Sequence, residues 1–573
     1  MKKILISCLY ILFGSLAFGQ GGSDVVTVVG LGNRQIEPAY RMTESPKIID
    51  TTIASPVSEY PLLFLQYATS IELDKINPAT IKTEPKLQQI YQTYVKLGVG
   101  TELMPLGEIY FDSKRDRKFL YGAHVKHLSS FGNFENYAPA QFDRTKVGLY
   151  GALNEKRYTL RSDVQYNNQG LHYYGWKIPT DSVNRDETAQ RFQDVGGSFS
   201  FASHKKDSAT LNYKVGLEYF NYTSKKPLLD SLADWHAREN YFALKTSGFY
   251  KYGKEIFAAD INVRYNGYKY GVESDTNSFA LDSGIVRNNT IINLKPTITT
   301  FSKDNRLKAK IGVDIVVDAS ATTKAHIYPV AEVKYSLFND IFIPYLGLRG
   351  GLKQVTFKTL TRENEFLLTN VPLRNESTAI DAYFGFKGTL SKRMSFNLSA
   401  SFARVNDKAL FVTDTTFSVG NKFNVIYDTL NLTTLEGSLS YQLNEKLKID
   451  ALARYNSYSL LNNSYAWNLP QWEAVIKGSY NLFDKFLVNL DVNFEGGRKA
   501  LVYAMEEGVT LENGQYAKTL GFIADINLGL EYRYNKRISA FVQMNNLASQ
   551  RYNRWYNHPV QIFQFMGGIT ARF

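Results

Sequence analysis

The chain has 573 residues, with 66 Lys and Arg against 54 Asp and Glu, a formal net charge of +12, and 39 Tyr and 36 Phe. A soluble chain of this length divides into several domains marked by helical periodicity or by continuous apolar strands, and neither marker occurs. The basic residues recur singly in strands and turns rather than in one patch, which argues against nucleic acid as a partner and for a polar lumen and anionic lipid head groups.

In chain order, Met1-Lys2-Lys3 precedes an apolar run from Ile4 to Phe18, and Ala17-Phe18-Gly19 places small residues at the cleavage-determining positions. Residues 1–19 are therefore expected to be a signal peptide, with Gln20 opening the mature chain. The run is shorter than the ~20 apolar residues a spanning helix needs. Cys8, the single cysteine, falls inside this leader and too early for acylation, so no thiol, disulfide or lipid anchor is expected in the mature protein. Residues 20–92 carry Pro38, Pro46, Pro56 and Pro61 and read as a mostly extended N-terminal segment, periplasmic or lumenal.

From Tyr94 onward the pattern changes to alternation with period two. Tyr158, Leu160, Ser162, Val164 and Tyr166 form one face against Arg157, Thr159, Arg161, Asp163 and Gln165. Phe257, Ala259, Ile261, Val263 and Tyr265 oppose Asp260, Asn262, Arg264 and Asn266. Phe486, Val488, Leu490, Val492 and Phe494 repeat the pattern, as does the run from Phe522 to Tyr534 against Asp525, Asn527, Glu531 and Arg533. About 22 such strands are expected, within about 20 to 24, where a tilted membrane strand needs ~9 to 11 residues. Tight turns such as Asn154-Glu155-Lys156, Gly253-Lys254-Glu255, Ser391-Lys392-Arg393, Phe483-Asp484-Lys485 and Asn535-Lys536-Arg537 alternate with long connections. The long connections run roughly 170–188, 223–238, 271–286, 358–377, 406–432, 499–519 and 547–560. Short turns on one side and long loops on the other are the habit of an outer-membrane barrel, because a sheet closed on itself satisfies every backbone hydrogen bond in lipid. The expected fold is an all-β transmembrane antiparallel barrel over residues 93–573.

Aromatic residues near strand ends suit interfacial girdles or loop binding surfaces. Tyr173, Tyr174, Trp176, Trp235, Trp555 and Tyr556 are the ligand-loop candidates, with membrane anchoring as the plainer reading; Trp467, Trp472 and Tyr480 flank another strand. No catalytic constellation, cofactor loop or metal site is expected. His124 and His127 are three apart on a strand and so point to opposite faces. Asp260, Asp491 and Asp525 read as charges lining a polar lumen, and Gly347, Gly350 and Gly351 as wall glycines that bend a strand or allow close packing.

The last residues carry the sharpest local signal. Phe563, Phe565, Gly567, Ile569, Ala571 and Phe573 alternate with Gln564, Met566, Gly568, Thr570 and Arg572, and the chain stops on the aromatic. This looks like the terminal β-signal read by the outer-membrane assembly machinery, with Phe563, Phe565, Ile569 and Phe573 as its apolar positions. Just upstream, Asn545-Asn546-Leu547 and the segment Arg551 to Pro559 resemble the last extracellular loop of TonB-dependent receptors. The resemblance implies a 22-stranded barrel of the outer membrane of a Gram-negative bacterium that imports iron complexes, vitamins or glycans. Asp24, Val25, Val26, Thr27, Val28 and Val29 resemble the short strand near the box that contacts TonB. Residues 20–92 are too few for the plug domain usual in that family. The partners implied are outer-membrane lipids, the assembly machinery, and TonB or a surface lipoprotein. Two functions from different classes stand open: uptake of a large or scarce solute, or a non-transporting barrel that scaffolds an outer-membrane complex. An outer-membrane esterase or protease is disfavoured, because no nucleophile, base and acid can be placed together.

Overall fold

The computed structural model describes residues 90–573, apart from 177–184, 205–210, 226–235, 271–284, 321, 444–445, 504 and 506. The expected leader, most of the N-terminal segment with Asp24 to Val29, and Trp235 lie outside the described residues.

Twenty-two strands form one closed antiparallel sheet in which each strand pairs with its neighbours in sequence order. Closure is made by the first strand, Thr93–Gly100, and the last, Gln564–Arg572, in register Tyr94↔Arg572 through Gly100↔Met566. The backbone N–H groups of Gln92 and Thr93 both donate to the Phe573 carbonyl, and Phe573 N–H donates back to Thr93. A Cβ on Gly568 would lie 2.1 Å from the Leu97 carbonyl oxygen, so only glycine lets the seam strands approach this closely. A closed ring leaves no unpaired edge, which is the condition for a sheet to cross lipid.

The alternation expected from the sequence is realised in the wall. On Ala189–Ser203, Val195 and Phe199 are exposed on the outside, while Phe192 and Asp194 are buried inward. On Glu255–Tyr270, Phe257, Ile261 and Tyr265 are exposed, and Asn266 and Tyr268 are buried. On Ile523–Arg533, Leu530 and Tyr532 face out, and Asp525, Asn527 and Glu531 are buried inward. The wall is therefore apolar toward lipid and polar toward the lumen. Gly350 sits where the register of Phe342–Lys353 against Glu376–Ser391 shifts between Arg349 and Gly351, and a Cβ there would meet the Ala379 carbonyl and the Tyr328 ring. The wall glycines thus mark a bulge and close packing.

Turns and loops separate onto two rims, as the sequence indicates. One connection differs: the expected 406–432 excursion is mostly strand, because Met394–Thr413 and Phe423–Leu443 run 20 and 21 residues and leave only 414–422 between them. At ~3.3 Å per residue and a tilt of ~45°, such strands rise about 50 Å, well past the ~25 Å apolar band. Their projecting ends find another use for apolar residues, since Leu410, Phe411, Val412, Phe423 and Val425 are buried against other loops. The connection 497–522 carries a three-stranded sheet of its own, and 546–563 a two-stranded one.

Candidate functional site: a loop folded into the barrel

The connection 354–375, between the thirteenth and fourteenth strands, turns inward. Thr356 caps the short helix Phe357–Glu363 in a reciprocal capping box with Thr359. The Glu239 carboxylate, fully buried on the eighth strand, accepts from Phe357 N at 2.8 Å, Lys358 N at 3.0 Å and Asn266 Nδ2 at 2.9 Å. It thereby satisfies amide donors at the helix start that no helical carbonyl can reach.

Lys358 Nζ lies 2.7 Å from Asp194 Oδ1, with side chains 5% and 4% exposed, and 3.7 Å from the centre of the Phe220 ring. Burial pulls the lysine pKa down and the Asp194 carboxylate opposes this. Further along, Glu365 accepts from Arg144 at 2.7 Å and from Gln169; Thr361 shares a 2.8 Å hydrogen bond with Tyr222; and Tyr268 donates to the Thr369 carbonyl. Arg144 and Gln169 stand on the fourth and fifth strands, about nine places round a ring of 22. The loop therefore crosses close to a diameter of the lumen to reach them.

Apolar packing backs these polar ties. Phe357, Leu360, Phe366, Leu367, Leu368 and Val371 from the loop form one core with wall and loop residues that include Tyr173, Phe192, Phe411, Phe423 and Trp555. Each such side chain contributes about 1.5–3 kcal/mol on burial. The result is a packed lid inside the loop-side mouth.

Two cavities adjoin it. The larger, about 910 Å³, lies along the wall where the loop leaves and rejoins it, lined by Tyr345, Arg349, Glu376, Asp381, Tyr383 and Arg454 among others. Its charges are largely paired: Arg349 with Asp381 at 2.8 Å, Arg454 with Glu436 at 2.7 Å, and Lys408 with Glu376 at 3.2 Å. The smaller, about 360 Å³, lies between the loop and Arg144, Asn168, Arg554 and His558.

The aromatic loop candidates fall into this lid. Tyr173 donates to the Leu367 carbonyl at 3.1 Å and its own carbonyl accepts from Asn421 at 2.8 Å; Tyr174 donates to the Pro559 carbonyl at 2.9 Å and packs on Phe134, Phe366 and His558. Trp555 sits 5.3 Å from Phe411 and 5.5 Å from Phe423, Tyr556 is buried beside Ala500, Val502 and Leu520, and Trp176 is half-buried. Tyr173, Tyr174, Trp555 and Tyr556 pack loops against one another; Trp467 is likewise fully buried, while Trp472 and Tyr480 are exposed on the wall. His558 is buried among Tyr174, Phe366 and Phe423 with Nδ1 2.9 Å from the Tyr556 carbonyl, and loss of water brings its pKa down to about 4.

Phe563, Phe565, Ile569 and Phe573 all lie exposed on the outer face of the closing strand and its approach. His124 stacks on Tyr110, whereas His127 Nδ1 lies 2.8 Å from Thr145 Oγ1, so the two imidazoles do not converge. Among the described residues no group of three or more His, Cys, Asp or Glu is placed to hold a metal ion. Lys358, Asp194, Glu239 and Glu365, which fix the lid, form no motif along the sequence. Their one local signal is the apolar run Phe366-Leu367-Leu368 inside a connection otherwise expected to be solvated.

No protein-family model and no curated protein matches the sequence. Solved structures do. The siderophore receptor PirA from Acinetobacter baumannii matches with a TM-score of 0.63 at 11% identity over 85% of this chain and 81% of that one. The FrpB iron transporter from Neisseria meningitidis matches with 0.63 at 9% over 85% and 82%. The pyoverdine outer membrane receptor FpvA from Pseudomonas aeruginosa PAO1 matches with 0.59 at 12% over 85% and 79%. The likeness is one of fold: the 22-strand barrel of TonB-dependent outer-membrane receptors.

Proposed function

We propose that this barrel works as a TonB-dependent receptor-like protein of the outer membrane of a Gram-negative bacterium, taking part in uptake of a large or scarce solute. The observation that carries the reading is the lid formed by 354–375, tied across a closed 22-strand ring beside a polar cavity of about 910 Å³. A pore for bulk diffusion would leave that path open; a receptor keeps it shut until a particular solute arrives. The receptors and transporters that share the fold support the reading. Coupling to TonB is assigned to Asp24 to Val29, and solute contact to the loop-side rim that carries Tyr173, Tyr174, Trp176, Trp235, Trp555 and Tyr556. Residues 20–92 serve as a further lumenal stopper in this scheme.

The number of buried polar ties on the lid favours a second reading, a permanently shut barrel that scaffolds an outer-membrane complex. The test measures uptake of labelled ferric catecholate, ferric hydroxamate, cobalamin and malto-oligosaccharide by cells with the full chain, without it, and with residues 24–29 deleted. Uptake of one probe that needs the chain and falls with the deletion supports the transport reading. Unchanged uptake of all four, with a stoichiometric membrane partner on purification, supports the scaffold and overturns transport.

A further inference from the structure

We propose that the turn-side rim of the barrel is a binding collar for anionic phospholipid head groups of the leaflet it meets. The two rims differ in charge. On the turn side, the connection 113–118 exposes Lys114, Arg115 and Arg117 around a single Asp116, the turn after Glu376–Ser391 exposes Lys392 and Arg393, and the turn before Ile538–Asn545 exposes Lys536 and Arg537. None of these seven cations makes an ion pair among the described residues. Where an acid does sit beside a rim cation it takes only part of the charge: Glu155 pairs with Lys118 at 2.7 Å and leaves Lys156 and Arg157 exposed. Asp340 and Asp484 are the acids of two other turns.

On the loop side the balance is different. The connection 461–471 has no charged residue, 131–141 has only Glu135, and 414–422 has one Asp and one Lys. The connections 354–375 and 546–563 hold more cations than acids, but Lys358, Arg362, Arg374 and Arg554 there are ion-paired, so unpaired positive charge is concentrated on the turn side among the described residues.

A second feature points to a lipid surface rather than to a soluble polyanion. The basic tips lie within two residues of exposed aromatic and aliphatic side chains: Phe119 by Lys118, Leu390 by Lys392, Tyr534 by Lys536, and Phe483, 79% exposed in its turn, by Lys485. Phe338, 73% exposed, and Ile341 add apolar surface to the same rim in the turn before Phe342–Lys353, although that turn carries no cation. Such rings and chains gain nothing in water, but at a membrane interface they enter the acyl boundary and set the neighbouring cations at the depth of the phosphates. Closure of the ring fixes the cations in an arc, so neighbouring head groups meet them without further ordering of the protein.

The experiment uses the folded full chain in phosphatidylcholine vesicles, with spin-labelled phosphatidylglycerol or spin-labelled phosphatidylcholine as the reporting lipid. The protein-associated fraction of each label gives their relative association constant. At 10 mM salt the phosphatidylglycerol label is expected to be favoured about fivefold, the effect of one well-placed cation. The preference is expected to fall toward unity at 1 M salt, where the screening length is ~3 Å. Changing Lys114, Arg115, Arg117, Lys392, Arg393, Lys536 and Arg537 together to Gln is expected to remove at least half of the preference, while Arg551→Gln on the loop side leaves it intact. Heat-modifiable migration reports folding of each variant; if the sevenfold variant does not fold, the salt titration of the unchanged chain decides alone. Equal association of the two labels at 10 mM salt, or a preference that ignores salt or survives the seven substitutions, overturns the proposal. So does binding of soluble polyglutamate without any lipid preference, which would assign the rim to a soluble polyanion.

Discussion

Replacing Lys358 by Met removes the charge that pairs with Asp194 while keeping most of the volume packed under Phe220. Asp194 is then left 4% exposed with Asn167 Nδ2 at 2.9 Å and Arg362 at 3.8 Å. Stripping one partner from a buried pair costs about 3–5 kcal/mol, because the remaining charge is uncompensated. Arg362 is close enough to move in, which places the cost near the lower end, about 3 kcal/mol. Borne by the docked loop alone, that raises the undocked population on the order of a hundredfold. The assay is trypsin cleavage after Arg362 in the folded full chain in detergent, with heat-modifiable migration confirming that the barrel is intact. When redocking is fast relative to cleavage, the rate follows the undocked population. The double variant Lys358→Met with Asp194→Asn removes both charges and is expected to return the rate to within about tenfold of the unchanged chain, since an absent buried pair is nearly neutral. A single variant cleaved no faster than the unchanged chain would refute the claim that this pair holds the lid, as would a double variant cleaved as fast as the single one.

Other outcomes follow from the same contacts. The pKa of His558, lowered to about 4 by burial against an ordinary value near 6.5, means the folded state holds it neutral. Stability from this group is full above pH ~6.5 and is lost as pH falls toward 4, by on the order of 3 kcal/mol; His558→Gln should flatten that segment of a pH series of thermal unfolding. Phe573→Ala keeps the backbone bonds to Gln92 and Thr93 but removes the exposed terminal ring, so folded barrel in the membrane should fall while the little that folds has unchanged heat-modifiable migration. Gly568→Val, whose Cβ would meet the Leu97 carbonyl at 2.1 Å, should stop closure and leave the chain migrating as unfolded even after refolding from urea. Removing residues 22–88 while keeping the leader should raise permeability to large antibiotics; normal assembly with unchanged permeability would deny that segment a stopper role.

The wall was legible because its physics is local. Every strand must show lipid one face and the lumen the other, so Asp525, Asn527 and Glu531 against Leu528, Leu530 and Tyr532 declare both strand and orientation in one short stretch. The tight turns and the terminal aromatic are equally local, and strand number and closure followed from them. The lid is not local. Lys358 meets Asp194 across 164 positions and Glu365 meets Arg144 across 221, and no spacing rule links such residues before the ring is closed. Tyr173, Tyr174 and Trp555 illustrate a different limit. An aromatic beside a strand end reads alike whether it rests on lipid or on another loop, and Tyr173, Tyr174 and Trp555 pack on other loops. The long hairpin of Met394–Thr413 and Phe423–Leu443 is a further non-local case, since its ends past the membrane are held as strand by loops that converge on them only in the folded ring.

The central claim is that the chain's own segments shut the lumen, the inward loop across one part of its cross-section and residues 20–92 across the rest, so that removing either opens a path, and the current through single barrels tests it most directly. The unchanged full chain in a planar bilayer should stay closed, without the steady conductance of a wide pore, and deletion of residues 355–372 should bring large, frequent openings. A steady wide-pore conductance from the unchanged chain would contradict the account.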